Sequence, residues 1–460
     1  MAKTKLESDL TKGNVWKQML LFAIPFFISN LIQSLYGIAD MMIVSYFGGT
    51  ESVAGVNTSS SIIIIVTNLA TGIAAGGTVM VGQFLGAGQR ENIKKSISTL
   101  FLTLLGLAAV ITIGLLLFAH PLLKALNTPA EAYGESYGYL VVSLIGVVFI
   151  FGYNAVSAVI RGMGDGKTPL YFVIVACFVN IGLDLLFVAV FHWGATGAAA
   201  ATVIAQAVSM ISCVIYLVRH DFVFDFKWSS YQFDKDMFST LMKVGLPNGV
   251  QHAATNLSFL FMTALINDIG GVAANAAVGI VGKFNTFALM LQVSFNTSAS
   301  AMISQNIGAG QMKRSKKIMQ CCLVLCTIMS VFVYSIAYFF PEEILLLFGA
   351  KPDVVEQGVI YMSAFRYEYV FVPVIIALNS MFLGNGNGWI LLVTNLLSSF
   401  VVRIPAALYL GISQGMGVYG IGLAVPIASC VGAIAVVVFY YSGCWKKNVV
   451  MKGDMGYEQF

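Results

Sequence analysis

Two carboxylates stand inside apolar stretches of this 460-residue chain, Asp40 in IADMMIVSYFGG and Asp184 in VNIGLDLLF. An acid at the centre of a membrane helix is costly, rare, and usually turned toward a polar cavity with a partner. Each lies eight or so residues before an outer turn, at Gly48 or near Trp193, and Thr202 lies equally far beyond the second turn. At about 1.5 Å per residue, all three sit about 12 Å below the outer ends of their helices. Asn180 precedes Asp184 by one helical turn and Gln206 follows Thr202 by one, so each pair shares a face. Gln33 and Tyr36 share the face of Asp40 in the same way. Two carboxylates, an amide and a hydroxyl can therefore gather at one depth. Such a set is an oxygen cage suited to Na⁺ (the candidate metal ligands are Asp40, Asn180, Asp184 and Thr202), or a carboxyl pair that exchanges protons. Gln33, Tyr36, Asp40 and Gln206 are the candidate substrate-binding residues, and no catalytic residue is expected.

The elements that must position these groups are membrane helices. Apolar residues make up 58% of the chain and charged residues 10%, against about a quarter charged in soluble proteins. Twelve apolar stretches read as spans, at about 16–46, 53–82, 96–119, 134–160, 169–191, 195–218, 238–267, 273–303, 318–340, 354–383, 389–411 and 417–443. The first 18 residues are polar and charged, so no cleaved signal is expected and the first span is retained. With the ends on one side, 20 of the 25 Lys and Arg fall in inner segments and only Lys124 and Lys351 in outer ones. That split predicts cytoplasmic termini in the plasma (inner) membrane. The seven cysteines mostly lie in apolar runs without C-x-x-C spacing and read as free, buried thiols.

The chain repeats itself at a fixed offset of 222 residues. Pro25 falls on Pro247, Gly48-Gly49 on Gly270-Gly271, Gly86-Ala87-Gly88-Gln89 on Gly308-Ala309-Gly310-Gln311, and Tyr139 on Tyr361. Gly162, Gly164 and Gly166 fall on Gly384, Gly386 and Gly388. An even number of spans per half makes the halves parallel, about an axis along the membrane normal. The expected fold is an all-α integral membrane protein, with twelve transmembrane helices in two pseudo-symmetric six-helix lobes around a central cleft. The expected divisions are 1–222 (N-lobe), 223–237 (cytoplasmic linker) and 238–460 (C-lobe). Pro25 and Pro247 each remove a helix hydrogen bond at matching depth and predict a kink, either as a hinge or as fixed curvature. The glycine-rich loops lack the Lys-Ser/Thr of a phosphate cradle and read as tight turns, so no ATP site is expected.

Several stretches together resemble the multidrug and toxic compound extrusion (MATE) family over essentially the whole chain. They are ADMMIVSYFGGTESVAG, VGQFLGAGQRENI, ISQNIGAGQMKRSKK, RGMGDGKTPLYF, NIGLD and GATGAAAATVIAQ. The single Asp in the first span is similar to the DinF-type branch. Leu185 stands where relatives often carry a Pro after the fifth-span Asp, which puts a bend there in question. The resemblance implies cation coupling at Asp40, Asn180, Asp184 and Thr202, and export of amphipathic, often cationic organic compounds by antiport against H⁺ or Na⁺. Asp40 would take cation and drug in competition. A lipid-linked precursor flippase of the same superfamily is the alternative reading. It is disfavoured because only Lys283, Arg366 and Arg403 are basic within spans.

The second half does not repeat the acids: Met262 stands opposite Asp40 and Ala406 opposite Asp184. Its own intramembrane acid, Glu368, is expected to form a structural ion pair with Lys283. Metal-binding Asp motifs and intramembrane protease sites are missing from the sequence, so an enzyme is not expected. No cofactor is expected beyond the coupling ion. The expected partners are small organic drugs, a monovalent cation and membrane lipid, with no nucleic acid, for a chain acting as a monomer.

Overall fold

The computed structural model describes residues 7–220 and 222–451; Lys3, Lys5 and Lys452 of the basic count lie outside the described residues. The described residues form helices without strands. The first half contains α1 (Val15–Ile43), α2 (Gly49–Gly86), α3 (Arg90–Leu117), α4 (Ala119–Ala125), α5 (Tyr133–Gly162), α6 (Lys167–Asp184) and α7 (Gly194–Arg219). The second contains α8 (Lys235–Gly308), α9 (Met312–Phe339), α10 (Pro341–Leu347), α11 (Pro352–Phe365) and α12 (Glu368–Gly384). It continues with α13 (Gly388–Leu396), α14 (Ile404–Ala407) and α15 (Gly417–Ser442).

Among the described residues, nine stretches are long and apolar enough to cross a membrane, and two of these, Val15–Gly86 and Lys235–Gly308, run 72 and 74 residues. Each would exceed about 100 Å as one rod, against a hydrocarbon core of about 30 Å, so each must be two spans. The chain turns back at Gly49 (φ 77°) in the first and at Gly271 (φ 65°) in the second. Both lie in positive-φ backbone that glycine adopts without a Cβ clash. α11 and α12 meet at 50° and together make one bent span. The spans so counted number twelve, and their ends fall within a few residues of the expected ones. The short helices α4 and α10 were not expected. They occupy repeat-related connections, and α10 starts on Pro341, a favoured first helical residue.

Two compact units emerge. One holds the described residues up to Asp9 together with Pro25–Gly249, and the other holds Leu10–Ile24 and the described residues from Val250 onward. In the first, α5 packs against α2, α3 and α7. A Cβ on Gly72 would lie 2.2 Å from Gly249 Cα, and one on Gly76 would lie 2.9 Å from Gly245 N. Two small-xxx-small stretches therefore let α2 and residues 235–249 touch backbone to backbone, which is how membrane helices gain contact without a hydrophobic drive. In the second unit α12 packs on α9 and α15, around a core that includes Tyr361, Phe365, Tyr369 and Ile421.

Candidate functional site

Asp40 lies one turn before a π-helical stretch, Val44–Gly48, and Asp184 is the last α-helical residue before another, Leu185–Val190. π segments shift the hydrogen-bond ladder by one residue and gather at functional sites. The ladder thus changes at Leu185 without a proline. One turn past the acids, Val44 and Val188 are both fully buried. They join Val56, Tyr139, Ala195, Ala198 and Ala199 in one apolar cluster. Since residues four apart share a helix face, this cluster closes off the face just beyond each acid and fixes the depth at which both carboxylates stop.

Asp184 and Asn180 are buried and Asp40 is partly buried. The Asp40 and Asp184 side chains lie within hydrogen-bonding reach of each other. Asn180 Nδ2 donates to Thr202 Oγ1 at 3.3 Å, joining α6 to α7. That leaves the Asn180 carbonyl oxygen as an acceptor. Asn180 Oδ1, Asp40 Oδ1 and both carboxylate oxygens of Asp184 are buried and receive no hydrogen bond. Four buried acceptor oxygens on α1 and α6, those of Asp40 and Asp184 within reach of each other, thus have no donor among the described residues. Buried polar atoms are normally paired, so this set calls for a proton or a hard cation. The donor set fits Na⁺, which takes carboxylate and carbonyl oxygens as other hard cations do.

Tyr36 and Gln206 lie within reach of each other, across α1 and α7. With Gln33 and Thr202 they line a cavity of about 400 Å³ within the first unit. Asp40 and Asp184 are not among the residues that line it. The structure thus brings together Asp40, Asn180, Asp184, Thr202, Gln33, Tyr36 and Gln206. Sequence reasoning missed Tyr139, which faces both acids from α5. Its one available signal was its repetition as Tyr361.

In the second unit the repeat-related positions are apolar. Met262 is 1% exposed within the core and Ala406 packs against that core. The expected pairing of Glu368 with Lys283 does not form. Lys283 is exposed and makes no ion pair with a described residue, and the cation facing Glu368 is Arg403. Glu368 and Arg403 are 7% and 5% exposed, and the Arg403 guanidinium lies over the Phe259 ring at 4.5 Å. Helix face decides the difference: Lys283 points outward from α8, whereas Arg403 sits in a π stretch, Leu397–Arg403, turned inward. Pro25 and Pro247 both lie inside continuous helices, and the Pro25 carbonyl accepts from Ser29 Oγ at 2.8 Å.

The sequence pattern of the MatE family matches twice, over residues 25–186 and 247–409, with starts separated by the internal offset. The chain is 28% identical over 440 residues to a Bacillus subtilis (strain 168) protein named "Probable multidrug resistance protein YpnP", covering 95% of this chain and 97% of that one. It is 23% identical to an "FAD transporter" of Shewanella oneidensis, covering 93% and 94%. Among solved structures it resembles the "outward-facing conformation of a multidrug resistance MATE family transporter of the MOP superfamily". That match has a TM-score of 0.91 at 21% identity and covers 97% of this chain and 100% of that chain.

Proposed function

The chain belongs to the MatE family, and on that premise we propose that it is a secondary active multidrug exporter driven by inward exchange of H⁺ or Na⁺. The names of its relatives support the export of organic compounds. The observation that carries the coupling is the set of four donorless oxygens on Asp40, Asn180 and Asp184. Side by side, two carboxylates cannot both stay ionised and unpaired in an apolar surround, so the pair changes state only by taking up or releasing a positive charge.

A bound Na⁺ would be held by Asp40, Asn180, Asp184 and Thr202 and would supply the missing positive charge. A proton on the pair would turn one acceptor into a donor and satisfy its neighbour. Asn180 serves either case by committing its amide nitrogen to Thr202 and presenting oxygen. Thr202, bonded to Asn180, and Tyr36, within the field of both acids, line the cavity, so the charge state of the acids is felt by whatever the cavity holds. Pro25 and Pro247, with a missing hydrogen bond each, are the proposed bending points of α1 and α8.

The test is efflux from proteoliposomes under an imposed pH or Na⁺ gradient, applied separately, for the wild type and Asp40→Asn. Loss of gradient-driven efflux at unchanged expression is expected. Full efflux by that variant would sink the assignment.

A further inference from the structure

The cavity in the first unit has a polarity that the coupling acids do not account for. It follows α5 from Ile150 to Arg161 and α1 from Phe26 to Tyr36, so it runs about 15 Å along the helices. Its outer end carries Gln33, Tyr36, Thr202 and Gln206. Its inner end carries Tyr153, Asn154 and Arg161. Among the described residues, Arg161 is the one formally charged side chain that lines it. Arg161 is partly buried, in the last turn of α5; its guanidinium forms no hydrogen bond or ion pair with a described residue, and the Tyr153 side chain lies near it. One turn before it on the same face, Ser157 also lines the cavity; it is 3% exposed, and its hydroxyl lies within reach of the Tyr153 hydroxyl. The nearby polar groups are otherwise engaged. Tyr153 donates to the Pro169 carbonyl at 3.2 Å, and Asn154 donates to the Ile150 carbonyl at 2.8 Å.

An arginine at the inner end of α5 is ordinarily placed by the positive-inside bias and reaches out to water or lipid phosphate. This one lines an internal space with no carboxylate on its wall. A planar guanidinium with free donors and a hydroxyl one turn away matches an oxyanion held at two points.

We propose that Arg161, with Ser157, is an anion subsite of this cavity, and that the protein's preferred cargo includes organic amphiphiles carrying a carboxylate. This rests on the export reading and deepens it. The cargo's negative end sits against Arg161 while its remaining body occupies the apolar wall of Ile63, Ile150 and Val173 toward Tyr36 and Gln206. A purely cationic compound would meet Arg161 as a like charge, so the subsite selects against cations that lack an acidic group.

Rhodamine B carries a carboxylate and its methyl ester does not, which makes a matched pair of probes. Binding of each to purified full-length protein is read by fluorescence polarisation. Wild type is expected to bind rhodamine B more tightly than the ester. Arg161→Gln is expected to weaken rhodamine B roughly tenfold to hundredfold, the worth of a charge-assisted hydrogen bond, while sparing the ester. Arg161→Lys keeps the charge without the planar fork and is expected to lose a smaller factor. It carries the test alone if the glutamine variant does not fold. An ester bound as tightly as rhodamine B by wild type, or equal losses for both dyes in the variants, overturns the subsite. Binding that follows the proposal without gradient-driven release of either dye from proteoliposomes overturns export and leaves the subsite standing. Absence of binding to either dye overturns both.

Discussion

Asp184→Asn separates an ion-coupling cluster from a merely structural acid. The change conserves shape and replaces an acceptor by a donor in a cluster whose four buried oxygens have none. The new amide can donate to Asp40, which lies within reach, and a hydrogen bond to a charged group contributes about 1.5–3 kcal/mol. The variant is therefore expected to unfold no earlier than wild type when Na⁺ is replaced by choline. Wild type, if Na⁺ is the ion, gains about 2.7 kcal/mol at a hundredfold excess over its dissociation constant, and the variant gains close to nothing. If protons are the coupling ion, the same loss appears as dye efflux that no longer responds to an imposed pH gradient. Thermal unfolding in detergent and proteoliposome efflux read the two effects. A variant that is destabilised by several kcal/mol while keeping gradient-driven efflux would refute the argument, since that is how a structural acid behaves.

Three other outcomes follow from the geometry. Glu135 Oε2 accepts from Ala195 N at 2.6 Å and from Ser52 Oγ at 3.1 Å, capping the start of α7; Glu135→Ala is expected to cost about 1–3 kcal/mol in thermal unfolding, and Glu135→Gln less. Gly72→Ala would place a Cβ 2.2 Å from Gly249 Cα and is expected to lower stability by about 1–3 kcal/mol or abolish the monodisperse peak on size-exclusion chromatography; Gly37→Ala, with open space around its Cβ, should leave both unchanged. Arg403→Met removes the buried cation whose field reaches Glu368 and is expected to cost about 1–3 kcal/mol, with Glu368→Gln added to it restoring part of the loss, while Lys283→Ala changes nothing.

The spans were legible because a bilayer leaves helices few choices: length and apolarity alone place all twelve, and the Gly48-Gly49 and Gly270-Gly271 repeats mark the two turns. The cluster at Asp40, Asn180, Asp184 and Thr202 was legible for a similar reason. Acids inside apolar helices are rare enough to be noticed singly, and equal depth from one shared turn puts them together. Pairings between distant helices were not legible. Glu368 feels the charge of Arg403 and not of Lys283 because rotation about the helix axis, set by packing in the whole unit, decides which cation turns inward. Arg161 was counted only as a cytoplasmic positive charge, since nothing in RGMGDGK says that its side chain returns to line a cavity. The π stretches after Asp40 and Asp184 have no local signature, and no proline marks the second.

The two halves share a scaffold and differ in what that scaffold must conceal. Shifted by the repeat, Glu368 and Arg403 fall on Gly146 and Ile181, not on the acids of the first half. The first half has at those positions a glycine pressed against Val203 and an apolar residue, so it has no room for a copy of that charged pair. Conversely, Met262 fills with core packing the space where Asp40 would stand. Each half therefore buries charge at a depth where the other is dry. In the second half opposite charges face one another, and the net charge of the pair is nil whichever ion is outside. In the first half like charges face one another, and the cluster is balanced only when a cation or a proton is present. Only the like-charged arrangement of the first half makes the energy of a unit depend on the ion supplied to it, so coupling of the proposed kind would be asymmetric although the architecture is not.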